Sequence, residues 1–129
     1  MGMAFLAGLA TDRLGPKTIM LCMFFITGIL TLLLGVASTH WVIIVVFLQP
    51  IFAVCFYPAG FSALSSISSP ENRNVAVSLT IPIAFVLGGG AVPAFIGIVA
   101  GLGYFSWGIS FSGILIMTGF FLSFFLHLD

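Results

Sequence analysis

Charge is what this sequence has least of: three basic and three acidic residues among 129, or 5% of the chain, with zero net charge when histidine is neutral. So few polar groups cannot solvate the surface of a packed domain in water, and they offer no basic field to hold nucleic acid. Cysteine is scarcer still. Cys22 and Cys55 each lie deep in an apolar run, which leaves no disulfide framework and no thiolate cluster for a metal, so both read as small hydrophobes. Clustered acids, bases and nucleophiles are missing too, and His40 and His127 stand alone; no enzyme, no metal site and no cofactor are expected. What the chain has instead is apolar bulk: 61% of it is hydrophobic and 15% aromatic, at a mean hydropathy of +1.35, where soluble domains are about half apolar. The solvent for most of this chain is lipid.

The charges Asp12, Arg13, Lys17, Glu71, Arg73 and Asp129 divide the sequence into long uncharged blocks at 18–38, 41–64, 75–100 and 104–127. Each exceeds the roughly 20 apolar residues that a spanning helix requires. Four transmembrane helices in an all-α membrane protein are therefore predicted, since barrel strands would alternate apolar and polar over about ten residues. Residues 1–10 are apolar but would extend only about 15 Å as a helix. They read as the end of a longer helix, with the chain the tail of a larger protein or the product of a truncated frame.

Short connections make neighbouring helices antiparallel. Asp12-Arg13-Leu14-Gly15-Pro16 reads as a turn, and Ser69-Pro70-Glu71 as a helix start with proline in the first turn. All three basic residues fall in the first and third connections, which places those on the cytoplasmic side of a cell membrane. His40-Trp41 and Tyr104-Phe105 then lie on the opposite face, where amphipathic rings favour the headgroup layer.

The first connection carries the most specific pattern. Gly8, Asp12, Arg13, Gly15 and Lys17 fit G-x-x-x-D-[RK]-x-G-x-[RK], and in this the chain resembles the major facilitator superfamily of secondary transporters, which carries that motif between the second and third helices of each six-helix half. Pro16 and Thr18 depart from it, where further basic residues are usual. The resemblance implies a conformational latch whose carboxylate docks on a helix of the other half. In purely physical terms, Gly8 allows close helix approach, Gly15 a tight turn, and Asp12 at the boundary needs a cation or a helix N-terminus. The alternative is a solvated turn that sets topology.

Gln49 and Pro58 match the family's fourth-helix pattern, R-x-x-Q-G running to a proline, while Val46 and Pro50 replace its arginine and glycine. The loss of that charge is ordinary in the corresponding tenth helix. The segment from Gly88 to Gly97 resembles the glycine–proline helix of antiporters but lacks the adjacent Gly-Pro pair. Together these features favour the second half of such a transporter, from the end of the eighth helix through the twelfth.

No Asp, Glu, Lys or Arg falls within a span, so this segment supplies no proton carrier. Gln49 and Tyr57 are the polar candidates for a substrate cavity, with an interhelical hydrogen bond as the rival reading for Gln49. Ser62, Ser65, Ser78 and Thr80 are expected to bond their own helix backbone. Gly88, Gly89, Gly90 and Pro93 make the third span the least regular, and Gly97 with Gly101 forms a G-x-x-x-G packing face; a hinge and simple tight packing both fit these residues. The phenylalanines at 120, 121, 124 and 125 read as lipid-facing. Expected partners are the bilayer, the remaining helices of a full-length transporter or another copy, and a small-molecule substrate that the sequence does not identify. A small four-helix structural or assembly protein is the alternative from another class.

Overall fold

The computed structural model describes residues 2–127, and every regular element in it is helical. The first helix, α1 (Gly2–Leu14), is followed by α2 (Pro16–Val36) and α3 (Thr39–Ile67). The third span is one continuous rod built of α4 (Arg73–Ala84), a π-helical segment (Phe85–Ala91) and α5 (Val92–Gly101), and α6 (Phe105–Phe124) completes the chain. Four of these rods are long and apolar enough to cross a bilayer: 16–36, 39–67, 73–101 and 105–124. Met1 and Asp129 lie outside the described residues.

The helix limits follow from a few residues. Asp12 and Arg13 do not sit in a loop: α1 continues through them to Leu14, because both tolerate a helix and nothing stops it before Gly15. Gly15 takes φ +86°, its N–H donates to the Thr11 carbonyl, and Pro16 opens α2 immediately afterwards. A single residue therefore joins two helices. At the third connection, Pro70 and Glu71 precede the helix instead of starting it. Asn72 N–H donates to the Ser69 carbonyl, closing a β-turn around Pro70 and Glu71, and α4 begins at Arg73. The fourth connection is a Schellman ending at Gly103, φ +88°, with Tyr104 N–H to the Val99 carbonyl and Gly103 N–H to that of Ala100.

Two prolines, Pro50 and Pro58, lie inside α3, and each deprives the carbonyl four residues earlier of its usual donor. The π segment carries Gly88-Gly89-Gly90 between Pro82 and Pro93. Glycine gives that stretch the freedom, and the prolines flanking it withdraw the donors, that let i→i+5 bonding displace the α pattern.

Packing is concentrated on α2, which lies against α6 along its length and against α3, while α1 rests on α3. The α2–α6 seam is close because glycines line it. A Cβ at Gly113 would meet the Leu32 backbone nitrogen at 2.9 Å, one at Gly28 the Met117 sulfur at 2.6 Å, and one at Gly119 the Phe24 ring at 3.1 Å. Gly35 fits against Ser110 in the same seam. Nearer the first connection, Ile19, Met20, Ala59 and Ala63 form a small core bordered by Phe24 and Phe56. By contrast, no residue of the third span is buried; α5 leans on α6, and α4 meets α3 only weakly.

Candidate functional site

Two places gather the residues that sequence reasoning singled out. The first is the corner where α1 meets α2. Thr11 is buried and returns its hydroxyl proton to the Ala7 carbonyl at 2.8 Å, while Asp12 and Arg13 follow on the exposed last turn of α1. Asp12 thus lies at the negative end of its own helix, where a carboxylate is disfavoured by about 0.3–1 kcal/mol, whereas Arg13 complements that end. A methyl group at Gly8 would meet nothing within 4 Å. The close approach expected of Gly8 is therefore made to no helix among the described residues.

Lys17 behaves differently from a loop charge. Its ammonium donates to the Phe124 carbonyl at 3.1 Å, 107 residues away, and so closes the C-terminal end of α6. Arg73 does the same for α3, its Nε donating to the Ser65 carbonyl at 3.2 Å. Each basic residue of the chain therefore stands at a helix C-terminus, two of them through a direct hydrogen bond, where positive charge meets unsatisfied carbonyls. Sequence reasoning saw these residues as topology signals and as part of a motif. Their capping partners are distant in sequence, and no local pattern marks them.

The second place is a cleft of about 820 Å³ between α3 and the α4–π rod, with α2 and α6 at its floor. From α3 come Phe56, Tyr57 and Phe61; from the opposite wall Thr80, Phe85 and the bare backbone of Gly88 and Gly89. Phe24 of α2 stacks obliquely on Phe56 at 4.6 Å, and Tyr57 lies nearly parallel to Phe61 at 6.4 Å. Tyr57 is 58% exposed. Thr80 donates its hydroxyl proton to the Ala76 carbonyl at 2.7 Å, leaving its oxygen free to accept.

The other candidates are scattered. Gln49 is half-buried on α3 and does not line the cleft, and no buried side-chain nitrogen or oxygen among the described residues is left without a partner. Gly90 also lies off the cleft, and Pro93 sits in the first turn of α5. Cβ atoms at Gly97 and Gly101 would meet nothing within 4 Å, so the G-x-x-x-G face packs on none of the described residues. Cys55 is buried against α1, its thiol 3.7 Å from the Met3 carbonyl, whereas Cys22 is exposed; both are free. Of the terminal phenylalanines, Phe121, Phe124 and Phe125 face outward. Phe120 is half-buried, its ring 5.3 Å from that of the exposed Phe25 on α2.

Long apolar rods, a seam of glycines and charges confined to the helix ends define a polytopic α-helical membrane protein. The family model described as Major Facilitator Superfamily matches residues 1–129, and the chain belongs to that superfamily, whose members are membrane transporters and not enzymes. No curated protein and no solved structure matches the chain.

Proposed function

We propose that this chain is part of a secondary active transporter that moves a small solute by alternating access, occupying the place of the end of the eighth helix through the twelfth. The observation that carries this reading is Asp12, exposed at the wrong end of its own helix. A carboxylate in that position gains from docking on a positive helix N-terminus, and α1 presents it outward, beside a Gly8 with open space before it. Gly8, Asp12, Arg13 and Gly15 act as the latch. Lys17 shares the motif and anchors the corner to α6. Gln49, Gly97 and Gly101 serve contacts with the remaining helices or a second copy, and the Gly88–Gly90 and Pro93 region bends during the cycle. The protein lies in a cell membrane with Arg13 and Arg73 at the cytoplasmic face.

The test is transport by a twelve-helix protein that carries this segment. At matched expression, Asp12→Asn is expected to depress uptake severely, and normal uptake by this variant overturns the latch. The 129 residues alone, reconstituted in liposomes and given a solute panel under a proton gradient, are expected to show no saturable accumulation. Accumulation there makes the chain a complete small transporter instead. Orientation is checked with single cysteines at Thr39 and Asn72, both exposed, in a background without Cys22 and Cys55. An impermeant thiol reagent added outside should label position 39 only, and labelling of position 72 inverts the topology.

A further inference from the structure

The cleft between α3 and the α4–π rod is walled on one side by aromatic rings and on the other by Thr80, Phe85 and a stretch of naked glycine backbone. Phe56, Tyr57 and Phe61 stand on α3, with Phe24 beneath them and Phe85 across the gap. Opposite, a Cβ on Gly88 would meet nothing within 4 Å, and one on Gly89 would touch only the edge of Phe85 at 3.6 Å. Such a slot suits a flat ring system, which gains from stacked or tilted rings on one face and close approach to glycine backbone on the other. The volume of about 820 Å³ falls within the roughly 300–1,000 Å³ of small-molecule sites.

Charge then narrows the ligand. Among the described residues no Asp, Glu, Lys, Arg or His lines the cleft, so an ionised group seated among them would lose its hydration without a counter-ion, at a cost far above what ring contacts return. Two polar side chains remain among the described residues, the Tyr57 hydroxyl and the Thr80 oxygen, one from each wall. We infer that this cleft binds a neutral, flat aromatic molecule with one or two hydrogen-bonding groups, and that the solute handled at this site belongs to that class. The second clause rests on the transporter reading above; the binding itself does not. A lipid acyl chain is the weaker occupant, since it has no use for the two polar groups, and an apolar helix, whether from another copy or from the rest of the transporter, would bury the Tyr57 hydroxyl without a partner, Thr80 already donating to the Ala76 carbonyl.

The probe pair N-phenyl-1-naphthylamine and 1-anilinonaphthalene-8-sulfonate shares one ring framework and differs by a sulfonate charge. With the full chain in nanodiscs, the neutral probe should give a saturable fluorescence component absent from empty discs, and the sulfonate none. Gly88→Leu fills the slot at a position with room for a side chain, and should weaken the neutral probe by about tenfold or more, as steric mismatch in an apolar pocket does. Val75→Leu, on the same rod, exposed and off the cleft, should leave binding unchanged, with helix content by circular dichroism checking that both variants fold. Purely non-saturable uptake, as in empty discs, assigns the cleft to lipid and overturns the inference. So does equal binding of both probes, or a Gly88→Leu variant that binds normally. Loss of binding as the chain dimerises assigns the cleft to a second copy and also overturns it. Saturable binding alongside normal uptake by Asp12→Asn would sink the latch while leaving the ligand class intact; failed binding alongside a strong Asp12 phenotype does the reverse.

Discussion

The α2–α6 seam and the third span hold glycine in similar measure, yet use it in opposite ways. In the seam, a Cβ at Gly28, Gly113 or Gly119 would run into the facing helix at 3.1 Å or less. In the third span, Gly88, Gly90, Gly97 and Gly101 would meet nothing within 4 Å. Without a hydrophobic drive between helices in lipid, close contact must come from dispersion across a smooth interface, and the seam has the shape for it. The third span has the same residue without the neighbour. Glycine there lowers the cost of leaving α geometry, and the outcome is a π segment facing a cleft. Glycine in a membrane helix thus marks either contact or compliance, and only the facing element decides which.

The sharpest way to break this comparison is Gly113→Val. Its Cβ would sit 2.9 Å from the Leu32 backbone nitrogen, which cannot rotate away, so the seam must open; a loss of about 1–3 kcal/mol or more is expected, read as a lower midpoint of unfolding in detergent. An unchanged midpoint would show the seam to be looser than described. A smaller effect is expected from Lys17→Met, which keeps the alkyl stem but removes the donor to the Phe124 carbonyl. The end of α6 should fray, at about 1 kcal/mol and with faster amide exchange over its last turn, while Lys17→Arg retains protection. The smallest effect belongs to the third span, where Gly97→Ala should stabilise the isolated chain by up to about 1 kcal/mol through helix propensity alone. Destabilisation by that change would reveal that the Gly97–Gly101 face packs on something, a second copy included.

The same contrast explains what could be read from the sequence. The four rods were legible because uncharged length is a local property, and the turn at Gly15 because the residue after it is proline. The continuation of α1 through Asp12 to Leu14 was not, since a charge near a membrane boundary ends the apolar run without ending the helix. The irregular third span could be anticipated from Gly88–Gly90 and Pro93, but its i→i+5 bonding could not, because it depends on how the two proline-flanked halves meet. The seam glycines escaped notice altogether. Gly28, Gly35 and Gly113 sit in apolar helices among many similar residues, and their role depends on the rotational setting of α2 against α6. Tyr57 was singled out and does line the cleft, whereas Gln49, eight residues earlier on the same helix, does not.

The one-residue junction at Gly15 makes α1 a lever. Pro16 fixes the first torsion of α2, so a change of angle between the two helices must pass through the two backbone torsions of Gly15. With 13 residues, α1 is about 20 Å long, and a rotation of roughly 10° at the junction carries its far end about 3 Å. The motif charges stand beside the pivot and travel little. The displacement appears instead near Met3, whose carbonyl lies against Cys55 where α1 leans on α3.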